Sequence, residues 1–362
     1  MCAGIADGSS RHSRARSSSV GRVAGVAVLG ALILTGCPGP DTSTGQESRP
    51  DPSAAEAGEQ LEQAYRQVID EVLPSVVEIR SSRGVGSGVV YNDGGDIVTN
   101  AHVVGDQRQF QVLASGSAEA LEATLVGSYP PNDLAVVRVT GGESLRPATF
   151  GDSSDVEVGQ IVLAMGNPLG LEATVTNGIV SAIGRTVTEP ASAASPGATL
   201  PDAIQTSADI NPGNSGGALV DLAGDVIGIP TLAALQPQAG AAAPGIGFAI
   251  PSNQVTHLAD QLVEDGVVTD SGRAALGVRV RTVVDRSGEP QGVGVVDVIP
   301  GDAAEAAGVR SGDVIVAVDG QRTPTAEALG AVLAELEPGD SVPVTVRRAG
   351  VEMEVEVTLG EL

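Results

Sequence analysis

Beyond Pro74 the chain is one short apolar run after another, each closed by Gly, Asn or Asp: SVVEI, GSGVVY, DIVTNAHVV, QFQVLA, ATLVGSY, LAVVRV, QIVLAMG, TVTNGIVSAI, VIGIPTL and GIGFAIP. Runs of this length, regularly spaced with turn residues between them, read as strands, and so many of them specify an all-β sandwich or barrel. Aromatic residues make up only 2% of the chain and Trp is absent, so the cores must be packed from Val, Leu, Ile and Ala, which favours β-branched strands. The expected class is mainly β, and 362 residues leave room for about two domains once the tails are set aside.

A helix precedes the strands. In AAEAGEQLEQAYRQVIDEVLPSVVEI, Leu61, Tyr65, Val68, Ile69 and Val72 recur at helical spacing until Pro74 stops the pattern. Ala/Pro/Ser-rich interruptions near 188–202 and 233–244 read as long mobile loops. A helix over SNQVTHLADQLVEDG, with Ser252 or Asn253 as N-cap, closes the region. VVTDSGRA then leads into a second block. The expected division is 57–265 for the first domain, 266–273 for a linker and 274–362 for the second domain, with no internal repeat visible.

The N-terminus reads as an address. Arg11, Arg14, Arg16 and Arg22 precede the apolar stretch Val23 to Leu34, a basic region followed by a run too short to cross a bilayer of about 30 Å as a stable helix. This is an export signal over 1–36. LTGC, ending at Cys37, resembles the lipobox of bacterial lipoproteins, which implies acylation of Cys37 and a lipid anchor on the extracytoplasmic face of the cell membrane. An ordinary secretory signal and an uncleaved anchor share the same basic and apolar parts. The Pro-, Ser- and Asp-rich stretch that follows Cys37, within 37–56, buries too little apolar surface to fold and reads as a flexible tether.

Charge and cysteine usage exclude several chemistries. A net charge of −25 with few, scattered basic residues argues against nucleic acid as a partner. Cys2 leaves with the signal and Cys37 carries lipid, so the mature chain has no thiol pair for a disulfide or a thiolate metal site.

Acyl transfer by a serine needs a base, a group that orients the base, and amides that receive an oxyanion. Of three histidines, His12 lies in the signal and His257 sits within the closing helix as a surface or packing residue, which leaves His102 in TNAHVV, at the end of an apolar strand. Asp133, in PNDLAVVRV, stands just ahead of another strand. Ser215, in NPGNSGGALV, is flanked by Gly213, Gly216 and Gly217, which let the backbone approach a carbonyl and leave room behind the nucleophile.

TNAHVV, NDLAVVRV and NPGNSGGALV, in the order His, Asp, Ser, resemble the HtrA/DegP family of trypsin-like serine proteases, and GSGVVY, MGNPLG, TNGIVSAIGR and GIGFAIP resemble further family segments. The resemblance implies a trypsin-like double β-barrel, with Ser215 as nucleophile, His102 as general base and acid, Asp133 as the group that fixes the imidazole, and the amides of Gly213 and Ser215 as the oxyanion hole. No metal or organic cofactor is implied. A small apolar substrate pocket would involve Ile210, Gly228 and Ile229. Two departures stand near it: Ser207 and Asp209 replace a carboxylate expected at 207, and Pro230 stands where a polar residue is usual.

In the second block, AALGVRV, VIPGDAAEAAGVRSGDVIVAVDGQ and TVRRAGVEMEVEVTL resemble a PDZ domain of the HtrA type, a β-sandwich with short helices. Leu276, Gly277 and Val278 would form the turn that receives a peptide's C-terminal carboxylate. The resemblance implies an endopeptidase acting on misfolded or selected exported proteins, a PDZ domain that binds exposed peptide C-termini, and a homotrimer. A chaperone or peptide-binding scaffold with a little-used protease site is the competing reading. An esterase would need a strand–nucleophile–helix elbow, whereas Ser215 lies among strands.

Overall fold

The computed structural model describes residues 52–362 apart from 83, 118, 143–144, 169–172, 190–196, 212 and 236–241. The stretches read as an export signal and a tether, with Cys37, lie outside the described residues as far as Asp51. Helix α1, Pro52–Val72, begins inside the stretch that composition assigned to the tether. Its Val68 and Val72 are buried in the main core, with Tyr65 and Ile69 packed beside them, as the helical spacing predicts. Pro74 falls in the 3-10 turn Leu73–Ser75 that ends the helix.

The first closed barrel comprises β1 (Val76–Ser81), β2 (Gly84–Val90) and β3 (Asp96–Thr99), then, after the short helix α2 (Ala101–Val104), β4 (Gln109–Ala114), β5 (Ala120–Tyr129) and β6 (Leu134–Val139). The second comprises β7 (Ile161–Gly166), β8 (Thr174–Glu189), β9 (Ala198–Thr206), β10 (Ala218–Val220), β11 (Val226–Leu235) and β12 (Ala242–Pro251). Around the first barrel the order is β1-β2-β3-β6-β5-β4, and around the second β7-β8-β9-β12-β11-β10. One topology is therefore used twice, although the sequence shows no repeat.

Strand alternation sorts the apolar residues between two layers. Val77, Ile79, Ile97, Ala135 and Val137 fill the first barrel. Their neighbours Val76, Val98, Leu134 and Val136 face the opposite way, into a core shared with Leu163, Met165, Val220 and Ile250 of the second barrel. Burial on both faces explains why these strands read as continuous apolar runs instead of alternating ones.

The two segments expected as loops are shorter than composition suggested. Leu200 pairs with Val187 and Ala242 with Leu235, so strand pairing consumes residues at both ends of each interruption. What remains, 190–196 and 236–241, lies outside the described residues.

Helix α3 (Ser252–Asp265) buries Val255, Leu258, Ala259 and Leu262 in the shared core and ends at Gly266, in the left-handed conformation. Its N-cap is Pro251, contrary to expectation. The Ser252 hydroxyl donates instead to the Gly151 carbonyl at 2.7 Å, and the Asn253 side chain accepts from the Ser153 amide at 3.1 Å, which fastens the helix to a neighbouring turn.

The C-terminal domain contains β13 (Ala274–Ala275), β14 (Val278–Val284), β15 (Pro290–Val298), α4 (Ala303–Ala306), β16 (Val314–Val318), β17 (Gln321–Arg322), α5 (Ala326–Leu333), β18 (Ser341–Arg348), β19 (Val351–Thr358) and β20 (Gly360–Glu361). A sheet ordered β14-β15-β16-β18-β19, with β17 beside β16, packs its Val293, Val295, Ile315, Val344 and Val346 against Leu329 and Val332 of α5. Thr325 caps α5 by accepting from the Ala328 amide at 3.1 Å.

Candidate active site

His102 enters the site on α2, immediately after β3. Asp133 enters from the neighbouring strand of the same barrel, between the 3-10 turn Pro130–Asn132 and β6, whose Ala135 pairs with Thr99 of β3. Four contacts lock these segments together. The Asp133 carbonyl accepts from the Ala101 amide at 3.0 Å and from Asn100 Nδ2 at 3.1 Å. The carboxylate accepts from the His102 amide at 2.9 Å through Oδ1, and Oδ2 lies 2.8 Å from His102 Nδ1.

Asp133 reaches this position in the left-handed region, φ 51° and ψ 39°, which a non-glycine residue holds only when its surroundings demand it. Its side chain is 3% exposed and that of His102 26%, so a buried carboxylate orients a half-open imidazole. With the proton of Nδ1 directed at the carboxylate, Nε2 is left as the lone pair.

Thr231 of β11 supplies a further bond across the barrels. Its hydroxyl donates to Asp133 Oδ2, and its carbonyl accepts from the Ser215 hydroxyl at 3.3 Å. One residue thus joins the His–Asp couple to the serine. Sequence reasoning passed over Thr231, although a polar residue at the end of the apolar VIGIP strand was the available signal.

The loop that carries Ser215 is held mainly through its backbone. The Asn211 amide donates to Asn214 Oδ1 at 2.9 Å, Asn214 Nδ2 to the Asp209 carbonyl at 2.9 Å, and the Gly217 amide to the Asn214 carbonyl at 3.0 Å. In a trans peptide the N–H points opposite to the carbonyl, so directing the Asn214 carbonyl at Gly217 turns the Ser215 amide the other way. Gly217 has no alternative at this approach, since a Cβ there would lie 2.1 Å from the Met165 carbonyl oxygen.

Both departures in the sequence have a place in this geometry. Pro230 pairs with Ala249 just before an irregularity in the β11–β12 ladder, and offers its carbonyl to the Gly216 amide at 2.9 Å. Ser207 accepts from the Ile179 amide at 3.0 Å, while Asp209 is exposed and meets the loop through its main-chain carbonyl. Of the three expected pocket residues, Ile210 packs against Gly247, Gly228 sits in the tight β11–β12 wall, and Ile229 has no accessible surface and belongs to the shared core. His257 bonds the Asp270 carbonyl at 2.8 Å, as a surface residue should.

In the C-terminal domain, Leu276, Gly277 and Val278 end a groove of about 380 Å³ whose walls include Val280, Ile299, Leu329 and Leu333. The Leu276 carbonyl accepts from the Ala304 amide at 2.8 Å and the Gly277 carbonyl from the Ile299 amide at 2.9 Å, which turns the amides of Gly277 and Val278 away from those partners. Gly277 has φ 69°, and a Cβ there would lie 2.2 Å from that of Asp302. Arg273, which precedes the groove, reaches back to the first barrel: its guanidinium donates to the Pro131 carbonyl at 2.8 Å and to Asn132 Oδ1 at 2.7 Å, on the turn that delivers Asp133.

Paired barrels with a half-open histidine on a buried aspartate and a glycine-lined serine are the architecture of trypsin-like serine peptidases. The comparisons agree. Residues 86–229 match the trypsin-like peptidase domain and residues 274–359 the PDZ domain. Serine protease PepD of Mycobacterium tuberculosis is 40% identical over 315 residues, covering 82% of this chain and 66% of that protein. Serine protease Do-like HtrA of Lactobacillus helveticus is 40% identical over 290 residues, covering 76% of this chain and 68% of that protein. The chain thus spans about two thirds of these relatives. Among solved structures, the HtrA-type protease AlgW with a decapeptide is 31% identical with a TM-score of 0.55, covering 82% of this chain and 98% of that one. A serine endoprotease from Yersinia pestis is 34% identical with the same TM-score. The chain belongs to the HtrA family of trypsin-like serine proteases with a PDZ domain.

Proposed function

We propose that the protein is an extracytoplasmic serine endopeptidase, tethered to the membrane through Cys37, that cleaves misfolded or selected exported proteins. The arrangement that carries this reading is the His102–Asp133 couple at 2.8 Å, with Thr231 joining it to Ser215. His102 takes the Ser215 proton at Nε2 as Oγ attacks a peptide carbonyl, and then returns it to the leaving amine. Asp133 stabilises the imidazolium. The amides of Gly213 and Ser215 receive the oxyanion, each worth about 10²- to 10³-fold in rate. In the PDZ domain the amides of Gly277 and Val278 bind the carboxylate of an exposed C-terminus, whose side chains enter the apolar groove.

Its relatives and its N-terminus support this reading of where the protein sits and what it cuts. Curated relatives include proteins named periplasmic serine endoproteases, and the LTGC motif adds a lipid anchor to that compartment. Casein is the test substrate, with fragment ends read by mass spectrometry. Wild type should cut it, and Ser215→Ala should lose about 10⁶-fold of the rate. If wild type leaves casein intact even when hydrophobic C-terminal peptides are added, the scaffold reading takes its place. Labelled fatty acid should enter the wild-type protein in cells and not Cys37→Ser.

A further inference from the structure

Gly213 is a weak point in any oxyanion hole built on it. At φ 122° it occupies backbone space that only glycine uses readily, and a residue so free does not fix the direction of its own amide. Something outside the loop has to hold it.

Ser87 meets that need. It lies on β2, in the first barrel, with no accessible surface, yet among the described residues its hydroxyl bonds to segments of the second barrel: it accepts from the Asn167 amide at 2.8 Å and donates to the Gly213 carbonyl. Its own amide donates to the Ser215 carbonyl at 3.1 Å, and its carbonyl accepts from Thr99 Oγ1 at 2.7 Å. One residue therefore grips the nucleophile loop on both sides of Asn214. The fit is close from behind as well, since a Cβ on Gly216 would come within 2.3 Å of the Ser87 carbonyl oxygen and one on Gly213 within 2.4 Å of Pro168.

We propose that the Ser87 hydroxyl is a positioning group for the oxyanion hole: by anchoring the Gly213 carbonyl to the first barrel it fixes the Gly213–Asn214 peptide, and so limits the rotations by which the Gly213 amide, one peptide back, could turn out of the hole. The inference rests on the reading of Ser215 as nucleophile. A serine that merely satisfied its own buried hydroxyl could do so within β2 or its neighbours; this one spends both its donor and an acceptor site on the other barrel. Losing the hydroxyl frees the Gly213–Asn214 peptide without touching substrate, so the loss should fall on the tetrahedral state and leave ground-state binding alone.

The experiment compares full-length wild type, Ser87→Ala, Ser87→Thr and Ser215→Ala in hydrolysis of a fluorogenic peptide, together with the affinity of a peptide boronic acid that forms a tetrahedral adduct. The proposal expects kcat of S87A to fall about 10- to 100-fold with KM within about threefold, since misdirecting one oxyanion donor costs part of what deleting it does. Boronate affinity should fall by the same factor as kcat, and S87T, which keeps the hydroxyl, should stay close to wild type. If S87A does not fold, S87C, close in size with a weaker donor, is judged by the same criteria. A kcat within twofold of wild type, or a lost kcat with unchanged boronate affinity, overturns the proposal. Failure of the underlying reading looks different: wild type and S215A would then hydrolyse the peptide equally.

Discussion

The two barrels share one strand order and hold their halves of the site by opposite means. In the first, His102 and Asp133 are fixed mainly by bonds within the barrel: the Ala101, His102 and Asn100 groups all converge on Asp133, and Thr231 of the second barrel adds one more. In the second, the Ser215 loop combines the Asn214 side chain with glycines at 213, 216 and 217 and borrows part of its anchorage from Ser87 of the first barrel. A strained, well-bonded aspartate and a permissive glycine loop are thus two answers to one problem. The first barrel fixes its pair largely through bonds of its own, and the second takes part of its rigidity from a neighbour.

The comparison can be tested from each side. Asp133→Asn attacks the self-contained half, and should lower kcat about 10⁴-fold by leaving His102 in the wrong tautomer, with little change in fold as read by thermal unfolding. Thr231→Val attacks the link between the halves. It removes one donor from a buried carboxylate, a charged hydrogen bond worth about 1.5–3 kcal/mol, so kcat/KM should drop about 10- to 100-fold and Thr231→Ser should restore it.

Arg273→Met probes the same self-contained half from outside. It leaves the Pro131 carbonyl and Asn132 Oδ1 without their donor, and should cost about 1–3 kcal/mol in urea unfolding. If stability and kcat were both unchanged, the first barrel would need no support beyond its own bonds. The smallest effect concerns a region remote from the site. The bond from Arg348 holds the Asp313 carboxyl below its ordinary range. A depressed carboxylate adds stability that is present above about pH 3.9 and is lost as pH falls through the lower folded value. Arg348→Met should therefore lower the urea midpoint at pH 7, and its gap from wild type should close as the solution is acidified.

Much of this was legible in the chain because it is local. Short apolar runs with turn residues announce strands, and His102, Asp133 and Ser215 each sit in a recognisable stretch. The parts that escaped are the long-range ones. Thr231 meets Asp133 across 98 residues and Ser87 meets Gly213 across 126, and nothing in VIGIPTL or GSGVVY marks which hydroxyl finds a partner so far away. Composition misled at the hairpins, since Ala, Pro and Ser read as loop while strand pairing carries the ladders past them. Ser252 and Asn253 were misplaced for a similar reason: their side chains bond the turn at 151–153 in preference to the helix end. The duplicated barrel left no trace in sequence, because a closed barrel needs only suitable apolar faces in order, and many residues satisfy that.

The most direct measurement is the site of covalent capture. A fluorophosphonate probe incubated with the full-length protein, followed by digestion and mass spectrometry, reports which hydroxyl is activated. A single adduct is expected on Ser215, absent from Ser215→Ala and formed far more slowly in Asp133→Asn. An adduct on a different residue, or none under conditions that label trypsin, would contradict it.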